Sequence, residues 1–278
     1  MSKVKIISDS TCDLSEELLI QYDIAVLPHP IVRDGELLQD NVSITPDDIY
    51  AHYERTGRLC TTSAPNAYDY EQFWRPWLDE GYEIVHFTIS SEMSTAYNQA
   101  VLAAEETGHV YPVDSRSLST GIGLLVVEAA IMAADGKSRE EIRNRISELI
   151  PKVRASFVVD TLVYLYRGGR CSAVSALIGG ALALHPMIVV KDGKMDASKK
   201  YRGKIGKVIK NYARDLENDM KNAMPDRVFI TYSEKIVDEV RDYIASLGIF
   251  KDIIETRAGG VISSHCGPGT LGVLFISK

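Results

Sequence analysis

The order of apolar and polar residues in the first half of the chain predicts strands that alternate with helices. Apolar runs of strand length lie at Val4–Ile7, Ile24–Val32, Tyr82–Ile89 and His109–Val113. Helical patterns occupy Glu16–Tyr22, Asn66–Asp79, Ser94–Glu106 and Ile122–Ala134. Alternation of this kind predicts a mostly parallel, Rossmann-like sheet with helices on its faces.

Two of the helix starts carry a local signal. Asp13 with Glu16, and Ser138 with Glu141, have the spacing of a capping pair, in which side chains bond to the free N–H groups of the first turn. We therefore expect one helix to begin at Glu16 and another to follow Ser138.

After Pro151 the strict alternation stops, and the pattern favours an α+β arrangement. Strands are predicted at Phe157–Val159, Met187–Val190, Lys194–Ala197, Arg227–Tyr232, Asp252–Thr256 and Leu271–Ser277. The pair Asp192-Gly193 is a strong signal for a β-hairpin. We therefore expect an α/β protein of two domains, residues 1–155 and residues 156–278.

Charge and composition argue against several classes of protein. The net charge of −7, without a basic cluster, is unsuited to binding nucleic acid. No apolar segment of the kind a secretory signal needs follows the N-terminus, and the longest apolar run, Leu124–Ala134, is too short to span a bilayer. The four cysteines are widely spaced, as is typical of reduced thiols. We expect a cytoplasmic protein without stable membrane insertion.

Hydroxyl and carboxyl side chains cluster next to several predicted strands and helices. Asp9-Ser10-Thr11, Ser90–Ser94 and Asp114-Ser115 follow strands, and Thr61-Thr62-Ser63 precedes a helix. Ligands of open α/β sheets bind beyond the carboxyl ends of the strands, where helix N-termini attract anions. Such side chains, without clustered arginines, suit a single carboxylate. The same residue types are also the preferred helix caps, so the pattern leaves both interpretations open.

Sequence signatures of catalysis are missing from the chain. The stretch Gly203–Lys207 has the wrong spacing for a P-loop, and no GxSxG nucleophile elbow occurs. The six histidines never have metal-ligand spacing. We therefore expect neither catalysis nor a cofactor or metal. The alternative is a hydrolase or transferase that uses a serine of Ser90–Ser94, which would need a histidine beside it.

Short motifs along the whole chain, in order, resemble those of the DegV family. They are Ile7–Leu14, Thr62–Asn66, Ile89–Tyr97, Val113–Ser115, Val159–Leu162, Arg167–Arg170 and His265–Gly269. Each motif is weak alone, but their shared order is a strong signal. The resemblance implies a bacterial lipid-binding protein that serves as the acyl carrier subunit of a fatty acid kinase.

The resemblance also implies where the ligand lies. One long-chain fatty acid, similar to palmitate or stearate, would occupy an apolar tunnel between the two domains. Thr62 and Ser94 would hold its carboxylate, with Ser63 and Ser91 as the next candidates. The apolar segment Val174–Leu184 is a candidate tunnel wall, and an ordinary core helix explains it as well.

Two further residues match family positions near the tunnel mouth. There Arg170 and His265 would contact the acyl phosphate or the separate, dihydroxyacetone-kinase-like subunit that phosphorylates the fatty acid. Their structural alternatives are a surface ion-pair partner and a turn histidine. Asp9 and Asp114 are interpreted as caps and as side chains that lock loops.

Overall fold

The computed structural model describes residues 3–171, 184–234 and 237–278. Of the apolar segment Val174–Leu184, only Leu184 lies within these ranges, so the prediction for this segment falls outside the described residues. Within the same ranges, no helix is long and apolar enough to cross a lipid bilayer.

The first half contains a parallel sheet and a small antiparallel sheet. Its strands are β1 (Val4–Asp9), β2 (Ala25–Leu27), β3 (Pro30–Arg33), β4 (Glu36–Gln39), β5 (Thr61–Thr62), β6 (Glu83–Thr88) and β7 (Val110–Asp114). Its helices are α1 (Glu16–Gln21), α2 (Pro46–Thr56), α3 (Ala67–Asp79), α4 (Ala96–Thr107), α5 (Thr120–Ala134) and α6 (Arg139–Leu149). Strands β2, β1, β6 and β7 form the parallel sheet in that order, which confirms the predicted alternation.

The second half is built on a mixed sheet. Its strands are β8 (Val153–Val158), β9 (Leu184–Lys191), β10 (Lys194–Arg202), β11 (Ala223–Tyr232), β12 (Asp252–Arg257) and β13 (Leu271–Ser277), and they lie in the order β10-β9-β8-β13-β11-β12. Its helices are α7 (Val163–Gly168), α8 (Ile205–Asp215), α9 (Glu217–Lys221), α10 (Asp238–Ser246) and α11 (Gly260–Cys266). The predicted hairpin is confirmed, since β9 and β10 pair antiparallel across Asp192-Gly193.

Helix α5 joins the two halves into one core. Apart from Glu128 it is apolar on nearly all sides, and it packs against β1 of the parallel sheet and against β8 and β13 of the mixed sheet. Close packing leaves no space for a side chain at Gly123, where a Cβ atom would lie 2.8 Å from Leu14 Cδ2. The suggested domain boundary after residue 155 lies inside β8, and the division itself stays a prediction.

Two local predictions are wrong, and one helix was missed. The extended segment Ile24–Val32 divides between two sheets, because β2 joins the parallel sheet and β3 the antiparallel one. Asp13 does not cap α1. Ser15 caps that helix, accepting a hydrogen bond from Leu18 N, whereas Asp13 has φ 51° and turns its carboxylate elsewhere. The sequence patterns also missed α11, the short helix that carries His265.

Candidate functional site

A cavity lies where the small antiparallel sheet, the Ser90–Ser94 loop and α11 meet. Its empty space is about 550 Å³, including the part open to solvent. The residues that line it are Thr11, His29, Thr62, Ser63, Ala64, Ile89, Met93, Ser94, Leu118, Arg170, Met195, Val261, Ile262, His265 and Cys266. We call it the polar cavity. Five of the six residues that the sequence suggested line it, and Ser91 does not.

Thr62 reaches the polar cavity because β5 pairs with the edge of a three-stranded sheet. Its backbone lies opposite Ile31 of β3, and its side chain meets His265 of α11. The distance from Thr62 Oγ1 to His265 Nε2 is 2.8 Å, although the two residues lie more than 200 positions apart. Ser63 follows directly, and its N–H donates to the Pro30 carbonyl.

His265 is an uncharged histidine in this environment. Burial, together with the neighbouring positive charge of Arg170, lowers the pKa of His265 to about 4. Its Nδ1 atom is buried and has no hydrogen-bond partner among the described residues. Gly168 leaves room for the ring, since a Cβ atom there would lie 2.4 Å from Nδ1. His265 ends α11 and lies in the cavity wall, where the alternative interpretation expected only a turn residue.

The Ser90–Ser94 loop connects β6 to α4, and its three serines point to different places. Ser94 lines the polar cavity, where its Oγ accepts a hydrogen bond from the Ala96 N–H at 3.2 Å. Ser91 donates to Asp114 Oδ2 at 2.5 Å, and Ser90 donates to the Gly193 carbonyl at 2.7 Å. Neither Ser91 nor Ser90 lines the cavity.

Asp114 locks this loop, as the sequence suggested. Its Oδ1 atom accepts hydrogen bonds from the Ser91 and Arg116 N–H groups, at 3.1 and 3.0 Å. The side chain of Arg116 then reaches the backbone carbonyl of Asp192 in the β9–β10 hairpin. The loop that presents Ser94 is therefore attached to both halves of the molecule.

Arg170 follows α7 and lines the polar cavity while remaining largely exposed to solvent. One of its guanidinium N–H groups donates to the Gly168 carbonyl at 2.7 Å. Gly169 ends α7 with φ 69°, a left-handed conformation that glycine adopts without strain. In Arg167–Arg170, the two glycines therefore make room for His265 and turn the chain, and Arg170 supplies a charge.

The sequence interpretation missed the role of Asp9, which was taken for a cap. Asp9 makes no side-chain cap bond. It is fully buried, and its carboxylate contacts Tyr70, His86 and His29, each at 3.0 Å. Burial by itself would raise the pKa of Asp9, but the electrostatic interaction with His29 and the contact with His86 hold it below its ordinary value. Asp9 is thus an ionised carboxylate inside the core.

Two other buried acids hold the start of α11. Asp13 Oδ1 accepts the Gly259 N–H at 2.9 Å, and Asp40 Oδ1 accepts the Gly260 N–H at 2.7 Å. Burial raises the pKa of Asp13 to about 8, opposed by a hydrogen bond from Ser119. No local spacing reveals this contact, because Asp13 and Gly259 lie near opposite ends of the chain.

A second space adjoins the polar cavity, and we call it the apolar chamber. Leu118, Ile262 and Cys266 line both spaces. The chamber has an empty volume of about 380 Å³, including the part open to solvent, between α11 and the mixed sheet. Its other lining residues are Ser119, Ser156, Phe157, Thr231, Tyr232, Ser233, Ala258, Ser263, Thr270, Gly272 and Leu274.

The serine and threonine hydroxyl groups of the apolar chamber are bonded to other protein groups. Ser263 donates to the Ala258 carbonyl and Thr270 to the Cys266 carbonyl. Ser233 accepts a hydrogen bond from the Thr270 N–H. The other three hydroxyls also have protein partners, since Ser119 bonds to Asp13, Ser156 to Tyr212 and Thr231 to Thr120. What remains to face the chamber is mainly carbon, as an acyl chain requires.

The chain is also similar to known proteins. The family model described as "uncharacterised protein, DegV family" matches residues 3–278. A DegV domain-containing protein of Caldanaerobacter subterraneus subsp. tengcongensis is 32% identical over 286 residues, which cover 100% of both chains.

Solved structures show the same fold. A DegV family protein from Thermus thermophilus, described as fatty acid binding, has a TM-score of 0.92 and 28% identity, covering 99% of this chain and 100% of its own. A stearic acid-binding protein from Eubacterium ventriosum has a TM-score of 0.86 and 30% identity, covering 100% and 99%. With a family model that spans nearly the whole sequence, the chain belongs to the DegV family.

Proposed function

We propose that this protein binds one long-chain fatty acid, with the carboxylate in the polar cavity and the acyl chain in the apolar chamber. The observation that carries the proposal is that the two spaces adjoin, with Leu118, Ile262 and Cys266 lining both. Fatty acid binding by the related proteins from Thermus thermophilus and Eubacterium ventriosum supports it. A ligand similar to palmitate or stearate suits this arrangement.

Binding energy comes chiefly from the acyl chain. Each buried CH₂ group contributes roughly 0.8 kcal/mol, so a chain of about 16 carbons gains on the order of 12 kcal/mol before the costs of binding. Hydrogen bonds to the carboxylate mainly prevent the penalty of burying an unpaired charge. The apolar chamber therefore sets the affinity, and the polar cavity decides which end of the ligand lies near Arg170.

Thr62 and His265 orient the carboxylate in this proposal. When neutral His265 carries its proton on Nε2, it donates to Thr62 Oγ1 and leaves the threonine hydroxyl free to donate to the ligand. Ser94 has the same capacity, because its Oγ uses only an acceptor position on the Ala96 N–H. Ser63 is a further donor in the same wall. Ser91 is bonded to Asp114 and has no part in this scheme.

In the cytoplasm, the bound carboxylate would be presented to a separate kinase subunit of the dihydroxyacetone-kinase type. The chain lacks a P-loop sequence, so the phosphoryl group has to come from a partner. Arg170 lies in the cavity wall and is exposed to solvent, as a contact to an acyl phosphate or to that partner requires. The protein is then a carrier subunit and has no catalytic role of its own.

The alternative, a hydrolase or transferase using Ser91 or Ser94, requires a histidine beside the nucleophile. Neither serine has a hydrogen bond to a histidine among the described residues, and His265 contacts Thr62 instead. Because its Nδ1 has no hydrogen-bond partner among the described residues and its pKa is about 4, His265 is also a poor general base at neutral pH.

Mass spectrometry of protein extracted under denaturing conditions tests the proposal. We expect close to one fatty acid per chain. Lipid-free protein that also fails to bind added palmitate would overturn the proposal. The kinase step is tested with Thr62→Val plus Ser94→Ala, which should keep the fold but lose kinase-dependent acyl phosphate formation. Thr61→Val is the matched control, since Thr61 is the exposed neighbour of Thr62 on β5.

A further inference from the structure

Two β-hairpins of the chain turn on the dipeptide Asp-Gly, but their glycines lie in different surroundings. Asp34-Gly35 joins β3 to β4, and Asp192-Gly193 joins β9 to β10. Both residues of each turn have positive φ angles, 55° and 89° in the first turn and 51° and 80° in the second, as a two-residue hairpin turn requires. Gly35 is exposed to solvent, whereas Gly193 is buried.

Gly193 is buried because the β9–β10 turn packs against the Ser90–Ser94 loop. The Ser90 side chain is fully buried, and its Oγ donates to the Gly193 carbonyl at 2.7 Å. The guanidinium group of Arg116 donates to the neighbouring carbonyl, that of Asp192. A turn that belongs to the second half of the molecule is thus bonded to the loop of the first half that lines the polar cavity.

Ser90 also determines the conformation of the loop that it begins. Its Oγ accepts the Glu92 N–H at 3.3 Å, and its carbonyl accepts the N–H groups of Met93 and Ser94, at 2.9 and 3.1 Å. Met93 and Ser94 line the polar cavity, and so does Met195 of the β9–β10 hairpin. A displacement of Ser90 would therefore move the side chains that face the ligand.

We propose that Gly193 and Ser90 are positioning residues, which hold the Ser90–Ser94 loop in the conformation that lets Ser94 donate to the ligand carboxylate. This inference rests on the proposed function. A glycine is needed at position 193 because a Cβ atom there would lie 2.6 Å from Ser90 Oγ and 2.8 Å from Arg116 Cζ, so a side chain would displace both groups. Carboxylate binding in the first half then depends on contact with a hairpin of the second half.

The two Asp-Gly turns provide a matched pair of variants. Palmitate, supplied from cyclodextrin, is titrated at pH 7 into wild type, Gly193→Ala and Gly35→Ala. Both substitutions place alanine at a positive φ angle, but a Cβ atom at position 35 has no heavy atom within 4 Å. We expect Gly193→Ala to weaken palmitate binding about tenfold and Gly35→Ala to change it by less than about twofold. Equal losses in the two variants, or no loss in Gly193→Ala, would overturn the positioning role.

A double-mutant cycle distinguishes positioning of Ser94 from a merely structural role, and it decides the question even if Gly193→Ala does not fold. Ser90→Ala should weaken palmitate binding about tenfold in the wild-type background but by less than about twofold in Ser94→Ala, because a residue that acts through the Ser94 hydroxyl has no effect once that hydroxyl is gone. Equal losses in both backgrounds would overturn the positioning role and leave fatty acid binding intact. Wild type that binds no palmitate would refute the proposed function, and this inference with it.

Discussion

The polar cavity and the apolar chamber contain the same kinds of residue but present different surfaces. Both have serine and threonine in their walls, and they share Leu118, Ile262 and Cys266. In the apolar chamber, the serine and threonine hydroxyls are bonded to other protein groups. In the polar cavity, the Thr11 hydroxyl has no hydrogen-bond partner within the described part of the chain, and the Thr62 hydroxyl bonds there to a histidine ring alone.

The difference shows that the bonds of a hydroxyl, and not its presence, decide whether a wall is polar. A hydroxyl that is already bonded to the backbone has no proton left for a ligand, and its carbon atoms face the empty space. Charge follows the same division, because Arg170 lines the polar cavity and no charged residue lines the apolar chamber. Four measurements can break or sharpen this contrast.

The largest effect is expected from His265, the buried ring of the polar cavity. Because its folded pKa is about 4 against an ordinary value of 6.5, the folded state binds fewer protons than the unfolded state between these values. The stability that neutral His265 contributes is therefore complete above pH 6.5 and is lost as the pH falls toward 4. Relative to His265→Gln, wild type should lose on the order of 3 kcal/mol over this window.

Urea unfolding of both proteins at closely spaced pH values measures this difference. The comparison with the variant is essential, since Asp13 changes stability in the opposite direction. Its raised pKa of about 8 makes the folded state lose stability as the pH rises toward that value. Parallel curves for wild type and His265→Gln would show that His265 is not held neutral.

The next effect concerns the apolar chamber. Ala258→Leu adds three carbons to its wall and should displace about three methylene groups of a bound acyl chain. The loss is about 2 kcal/mol, or roughly thirtyfold weaker palmitate binding, with a much smaller change for decanoate. Isothermal titration with both acids measures it, and Ala245→Leu on the exposed face of α10 is the control. Equal weakening of both acids would mean that the far end of the palmitate acyl chain does not lie beside Ala258.

The order of strands and helices was predictable, because apolar periodicity is a local property. The parallel sheet, the buried helix α5 and the Asp192-Gly193 hairpin all follow from segments of a few to fifteen residues. The predictions failed where a distant residue decides the local conformation. Asp13 has the spacing of a cap but bonds to Gly259, more than 200 residues away.

For the site, the family motifs named Thr62, Ser94, Arg170 and His265 but gave no contacts between them. Their meeting depends on α11, a seven-residue helix with too few turns to show helical periodicity in the sequence. His29 was missed for a similar reason. It lies between two prolines, outside any helix or strand, and its contact with the buried Asp9 has no local signal.

A smaller effect is expected at Thr62. Thr62→Val keeps the shape of the side chain but removes one donor to the carboxylate, so palmitate binding should weaken about tenfold while 1-hexadecanol binding changes less. Titration of both ligands gives the ratio. A variant that binds palmitate as wild type does would mean that the carboxylate does not contact Thr62.

The smallest effect is expected at Ser263, a fully buried serine of the apolar chamber. Its hydroxyl donates to the Ala258 carbonyl at 3.3 Å, so it offers a ligand only carbon atoms. Ser263→Ala should lower the free energy of unfolding by about 0.5–1 kcal/mol and leave palmitate affinity unchanged. Urea unfolding and titration on one preparation measure both quantities. A tenfold loss of palmitate affinity without a loss of stability would mean that the Ser263 hydroxyl turns toward the ligand. The apolar chamber would then offer a hydroxyl donor as the polar cavity does, and the contrast between the two spaces would be smaller.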